Sequence, residues 1–217
     1  MRCQLITYPH PVPYAEALAQ QYMLAEQRGR GEIPDTLLLL EHPPTITLGR
    51  RTQDNDLLAD EAALKESGFA VERVDRGGEI TYHGPGQLVG YPVLDLRQHG
   101  SDLHKYLRDL EEALIQTVAV FGLEGERVPG RTGVWVQDRK IAAIGIKVSR
   151  WVSLHGFALN IAPNLVPFRE YFVPCGIADK GVTSLAEMLG SAAPARAEVE
   201  AVLTARFAKI FGVDLFC

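Results

Sequence analysis

The chain has 217 residues, of which 47% are hydrophobic and 23% charged, with a formal net charge of −5. That usage argues against a disordered chain, and the acidic balance disfavours a general nucleic-acid binder. No apolar run approaches the roughly 20 residues of a membrane helix, and the amino terminus lacks the unbroken apolar stretch of a signal peptide.

The elements read as follows in chain order. Residues 2–7 form a strand. Residues 14–28 form a helix, with Tyr14, Leu18, Tyr22 and Ala25 along one stripe. Residues 36–41 and 45–48 are strand-like runs parted by a His-Pro-Pro loop. A short helix over 60–67 ends at Gly68. Strands follow at 69–74, 79–83 and 87–94. A long helix over 101–121 opens at Ser101 and is striped by Leu103, Leu107, Leu110, Leu114 and Val118. Three strands come next, at 132–137, 140–148 and 151–160, the first two joined by a polar hairpin turn at Gln137, Asp138 and Arg139. Residues 161–182 are rich in Pro and Gly and read as irregular. Helices near 183–189 and 195–211 close the chain. Strands mostly neighbour one another in sequence, which predicts an α+β fold: a mixed or antiparallel central sheet flanked by helices. With no repeat and no linker-like break, the prediction is one domain over 1–217.

Chemistry concentrates in four places. Residues 76–87, RGGEITYHGPGQ, place five Gly or Pro residues between two strands. Glycines allow a backbone to approach a ligand closely, although a hairpin with glycine-rich turns has the same pattern. The segment has no phosphate-loop spacing. Lys140 opens the apolar strand KIAAIGI, where a solvated edge lysine is the plain alternative. His155 and Asn160 flank a glycine within the run HGFALN. Cys175 lies between Pro174 and Gly176 in the irregular segment. The other cysteines, Cys3 and Cys217, stand at the chain ends, so neither a disulfide framework nor a thiolate zinc site is expected. Three unpaired cysteines fit a reducing, cytoplasmic home.

In this order, the string RGGEITYHGPGQLVGY at 76–91, the lysine-led KIAAIG at 140–145, HGFALN at 155–160 and PCG at 174–176 closely resemble the motifs of the lipoyl(octanoyl) transferases, the octanoyl-[acyl-carrier-protein]–protein transferases. The resemblance runs from about residue 36 to 190. It implies the catalytic-domain fold of biotin and lipoate protein ligases. It implies an acyltransferase that moves an octanoyl group from octanoyl-acyl carrier protein to a specific lysine of lipoyl domains, in 2-oxoacid dehydrogenase complexes and in glycine-cleavage-type carrier protein. This is the first step of endogenous protein lipoylation. Carried over by position, Cys175 becomes the acyl-thioester nucleophile and Lys140 its partner. Substrate contacts fall on Arg76, Gly77, Gly78, Glu79, Ile80, Thr81, Tyr82 and His83, then on Ala143, Ile144 and Gly145, and on Gly156, Phe157 and Ala158. Many relatives carry Ser where this chain has Ala143. No cofactor and no metal are implied, and neither nucleic acid nor membrane is a partner.

Three other readings compete. An ATP-dependent lipoate or biotin ligase would share the fold but use a phosphate-binding loop and no nucleophilic cysteine. A non-catalytic acyl-binding module would keep the pocket without the chemistry. A thioesterase would release free octanoate. Finally, residues 127–150 carry Arg127, Arg131, Arg139, Lys140, Lys147 and Arg150 against Asp138 alone. Acyl carrier proteins and lipoyl domains are typically acidic, so this stretch is expected to steer them toward the site.

Overall fold

The structure is a computed structural model that describes residues 1–53, 56–172 and 181–217. Its strands are β1 (Arg2–Thr7), β2 (Asp35–Leu40), β3 (Thr45–Leu48), β4 (Ala70–Arg73), β5 (Ile80–His83), β6 (Gln87–Val93), β7 (Glu126–Val128), β8 (Arg131–Val136), β9 (Arg139–Ser149), β10 (Val152–Asn160) and β11 (Asp214–Phe216). Its helices are α1 (Tyr14–Gly29), α2 (Glu61–Glu66), α3 (Leu103–Val120), α4 (Pro167–Glu170), α5 (Leu185–Leu189) and α6 (Arg196–Phe211). Among the described residues, no helix is long and apolar enough to cross a membrane.

Eight strands form one sheet in the order β11-β1-β2-β6-β10-β9-β8-β7, and three form a second in the order β4-β3-β5. In the large sheet β1 runs parallel to β2 and β11, and the remaining pairs are antiparallel. The sheet is therefore mixed, as the sequence predicts. Residues of β2 show why it is central. All six are buried. Leu37 and Leu39 enter the core beneath α3 and α6, with Leu110, Leu114, Leu203 and Phe207. Leu38 and Leu40 pack on the opposite face with Ala17 and Leu24 of α1. A strand buried on both faces loses polar alternation and reads as a continuous apolar run.

Local signals explain most boundaries. Asp60 caps α2 by accepting from the N–H groups of Ala62 and Ala63. The start of α3 differs from the sequence reading. Asp102, not Ser101, accepts from the N–H groups of His104 and Lys105, and Ser101 sits before the cap at φ 53°. The β8–β9 turn has positive φ at Gln137 and Asp138, and Arg150 and Trp151 repeat this at the β9–β10 turn. Two consecutive left-handed residues make the tight hairpin that matches strand twist. The short edge strands β7 and β11 and the turn of helix α4, within the stretch read as irregular, were not legible because each is too brief to show a period.

One irregularity matters for the site. Opposite β8, Trp135 faces Lys140 but Val134 faces Ala142, so β9 carries an extra residue at this point. Such a bulge reverses the facing of the residues beyond it. Ile141 and Ala142 consequently both enter the large core, whereas Lys140, Ala143 and Gly145 share a cavity wall.

Candidate active site

A cavity of about 730 Å³ lies where β5 and the loop before it approach β9 and β10. That volume falls within the roughly 300–1,000 Å³ of small-ligand sites. The loop is pinned to both sheets. Gly77 N donates to Ile146 O at 2.9 Å, and Gly49 N to Glu79 O at 3.0 Å. A Cβ on Gly145 would stand 2.9 Å from Gly77 O, so the close approach of loop and β9 requires glycine there. Gly156 has a different reason to be glycine. Its Cβ would meet Gly90 O at 2.1 Å, so its missing side chain admits the neighbouring strand β6.

The cavity gathers residues from three of the four sequence motifs. Arg76, Gly77, Gly78, Glu79, Ile80, Thr81 and His83 line it from the glycine-rich segment, Lys140, Ala143, Ile144 and Gly145 from β9, and Gly156, Phe157 and Ala158 from β10. Tyr82 is not part of the lining. Alternation along β5 turns its ring into the smaller core, against Phe69 and Phe168. Pro174, Cys175 and Gly176 lie outside the described residues. The described neighbours of that segment, Phe172 and Val182, both line the cavity. Lys140 N donates to Gly181 O at 3.1 Å, and Thr183 N donates to Lys140 O at 2.9 Å. The strip after the cysteine segment is thereby fastened to the lysine's own backbone.

The cavity wall also holds groups that the motif carry-over did not assign. Tyr14, Tyr91, His155, Gln87 and Asn160 all line it. Tyr14 left no chemical signal in sequence because it reads as one residue of an apolar helix stripe. Arg76 is buried, and its guanidinium donates to Thr47 O, Thr47 Oγ1 and Gly77 O. Around this cation the histidines and tyrosines are held neutral. Burial pushes His42 down to about 4. Burial, with His42 and Arg76 beside it, drives His83 well below its ordinary value. Burial also lowers His155, and the nearby Asp75 carboxylate only partly offsets this. Burial pushes the Tyr14 hydroxyl up to about 12 and Tyr91 well above its ordinary range.

Acceptors that cannot donate fix two of the imidazoles. His42 Nδ1 donates to Val12 O at 2.6 Å, leaving Nε2 to accept from the Tyr91 hydroxyl at 2.7 Å. His155 Nε2 donates to the Asp75 carboxylate at 3.0 Å, leaving Nδ1 to accept from Tyr14 at 3.3 Å. His155 adopts φ 57° within β10, and its N–H leaves the ladder to donate to Gln21 Oε1 of α1. A left-handed non-glycine residue costs about 1–3 kcal/mol and persists where its surroundings over-determine it. Asp75 also pairs with Lys147 and accepts from Tyr22.

Three of the six basic residues of the stretch 127–150 are paired where they stand. Arg127 pairs with Glu111 and Glu112, Arg139 with Glu187, and Lys147 with Asp75. The cationic character of the cavity instead comes from Arg50, Arg51, Arg76, Arg131 and Lys140, of which only Arg131 and Lys140 belong to that stretch. The lysine ammonium and the Arg131 guanidinium lie 4.9 and 5.8 Å from the Trp135 ring centroid.

Comparison with known proteins places these features in a family. The model for the lipoyl protein ligase A/B catalytic domain matches residues 13–208. The octanoyltransferase of Chloroflexus aurantiacus is 52% identical over 217 residues, covering 99% of this chain and 96% of that protein. The octanoyltransferase of Nostoc punctiforme is 49% identical over 205 residues, covering 94% and 86%. Among solved structures, a lipoate-protein ligase A bound with ATP aligns at a TM-score of 0.74 and 18% identity, covering 100% of this chain and 90% of that one. The bipartite lipoate protein ligase of Thermoplasma acidophilum aligns at 0.73 and 18%, covering 99% and 85%. A biotin protein ligase from Aquifex aeolicus aligns at 0.61 and 14%, covering 96% and 70%. The shared catalytic-domain fold of lipoate and biotin ligases is the one the sequence motifs imply.

Proposed function

Because the chain belongs to the lipoyl protein ligase A/B catalytic-domain family and, within it, to the octanoyltransferases, we propose that it transfers an octanoyl group from octanoyl-acyl carrier protein to a lysine of lipoyl domains through a thioester on Cys175. The observation that carries this reading is the position of Lys140. It lines the cavity and is bridged through Gly181 and Thr183 to the strip that follows the Cys175 segment.

The chemistry suits these residue types. In the first step the Cys175 thiolate attacks the donor's thioester carbon. The new C–S bond forms, the carrier's C–S bond breaks, and its electron pair goes to the carrier sulfur. Lys140, an ammonium beside the thiolate, gives that sulfur its proton. In the second step the acceptor amine attacks the Cys175 thioester. The C–N bond forms, and the C–S pair returns to Cys175. The amine proton goes to Lys140, which restores the ion pair. One sulfur replaces another in the first step, so the intermediate divides one difficult transfer into two easier ones. Lysine suits the shuttle because its amine can gain and lose a proton, which arginine cannot do. Thiolate and ammonium titrate together, so their pKa values belong to the pair.

The test is intact mass after incubation with octanoyl-acyl carrier protein, followed by addition of a lipoyl domain. One octanoyl group should appear on Cys175 and then move to the domain. A Cys175→Ser variant that transfers at the native rate would end the mechanism. Transfer that requires free octanoate and ATP would identify a ligase, and release of free octanoate would identify a thioesterase.

A further inference from the structure

His83 is joined to the Lys140 strip by a line of side chains whose polarity can be read without ambiguity. It starts at Thr183 O, a backbone carbonyl that can only accept. Asn160 Nδ2 donates to it at 2.9 Å, so the Asn160 oxygen faces the other way. Gln87 Nε2 donates to that oxygen at 2.8 Å and to Tyr82 O, a second obligate acceptor, at 3.2 Å. The Gln87 amide nitrogen is thus committed on one side, and Oε1 faces His83 Nδ1 at 2.7 Å. An amide oxygen accepts, so Nδ1 carries the proton and Nε2 of the neutral ring holds a lone pair. Two carbonyls fix this outcome across 73 residues of sequence.

His83 differs from the other two histidines of the cluster. The acceptor nitrogen of His42 is taken by Tyr91, and that of His155 by Tyr14. His83 Nε2 has no hydrogen-bond partner among the described residues, and the residue lines the cavity. Tyr14 stacks on its ring and His42 meets it edge-on, which fixes the ring plane.

The surroundings select the kind of group this lone pair receives. Arg50, Arg51, Arg76, Arg131 and Lys140 supply the cavity with donors suited to oxygen atoms. An attacking amine has the opposite need. Its N–H bonds must meet acceptors for its own lone pair to aim at the thioester carbon. A carboxylate here would bind the ammonium and hold it protonated. A neutral imidazole among cations accepts an N–H without favouring the charged form.

We propose that His83 is a catalytic residue of the acceptor step, its Nε2 accepting a hydrogen bond from an N–H of the attacking lysine amine, with Gln87 and Asn160 as positioning residues that set its tautomer. This deepens the transfer reading above and rests on it. The proton released in the step still goes to Lys140, and His83 stays neutral throughout.

Two measurements test it. In histidine-labelled native protein, long-range ¹H–¹⁵N spectra between about pH 5.5 and 8, across the ordinary histidine range, should show His83 neutral with Nδ1 protonated and Nε2 bare. An imidazolium or an Nε2–H tautomer would overturn the assignment. In single turnovers, His83→Ala should slow transfer from the acyl-enzyme about 100-fold, the scale for losing one aligned hydrogen bond in a reacting site. That loss should exceed its effect on acylation at least tenfold. Equal losses in the two steps, or native-rate transfer, would refute the role. Gln87→Glu should raise the His83 pKa and add an acid limb to transfer that the native protein lacks; a profile unchanged from native would count against the positioning line. If the native protein forms no acyl-enzyme, the transfer reading itself fails, a result distinct from all of these.

Discussion

Lys140 and Trp135 face one another across the β8–β9 ladder, and the lysine nitrogen lies 4.9 Å from the centroid of the indole. The indole is fully buried. An ammonium over an aromatic face gains roughly 0.5–2 kcal/mol, so the ring supports the charged form and limits where the amine can swing. Lys140→Met should reduce octanoyl transfer at least about 100-fold, the lower end for losing a positioned acid–base group. Lys140→Arg should fail to restore it, since a guanidinium keeps its proton. Single-turnover transfer to a lipoyl domain measures both, and a Met variant working near the native rate would rule out the assigned role.

The two glycines of the motif strands should separate in their effects. Gly156→Ala drives a methyl into Gly90 O and should cost about 3 kcal/mol or more, beyond ordinary overpacking. Thermal unfolding would show it directly. Gly145→Ala meets Gly77 O at 2.9 Å and Arg76 Cδ at 3.1 Å, a smaller overlap than the 2.1 Å at Gly156. Its Tm should change much less, while transfer falls because the loop before β5 bears the cavity residues Arg76 to Glu79. The reverse pattern would mean that the loop, not the sheet, is the rigid partner.

Stability should fall in mild acid. His42 is depressed to about 4 by burial, against an unfolded value near 6.5. Above about pH 6.5 neither state binds the proton, and the full stability is present. As pH falls toward 4, the unfolded chain takes up a proton that the folded chain refuses. The loss reaches about 3 kcal/mol at 1.36 kcal/mol per unit. Urea unfolding of native protein and His42→Gln over this window should show a shallower pH slope in the variant. Identical slopes would exclude His42 as a source.

Charges of one stretch should act in two ways. Arg131 lines the cavity, so Arg131→Glu should slow association with an acidic carrier protein, most at low salt. Arg127 instead braces Glu111, a buried carboxylate that also accepts from Gly133 N. Arg127→Glu should lower Tm by several degrees, because it sets a second negative charge beside a buried carboxylate left with Arg108 as its cation. Transfer rates across ionic strength and melting curves tell the two apart.

The wall residues show how much of the site was legible. The glycine-rich segment, the lysine-led strand and HGFALN each stood out by residue type, and three-dimensional structure brings them to one cavity. Tyr82 was drawn in by its motif but turns into the smaller core, since alternate residues of a strand face opposite ways. Tyr14, Tyr91 and the role of Asn160 were not legible, because their partners lie 141, 49 and 73 residues away.

Length, composition and charge argued against a disordered chain and disfavoured a general nucleic-acid binder, and local periodicity defined most strands and helices. These properties depend on near neighbours in the chain, so sequence alone determined them. The ordered motifs likewise identified the family from residue types alone. Tertiary structure decided the rest. A bulge opposite β8 turns Lys140 toward Ala143 and Gly145, and carbonyls of Thr183 and Tyr82 set the tautomer of His83. Both depend on which strand lies alongside, and a pattern of period two carries no record of its partner.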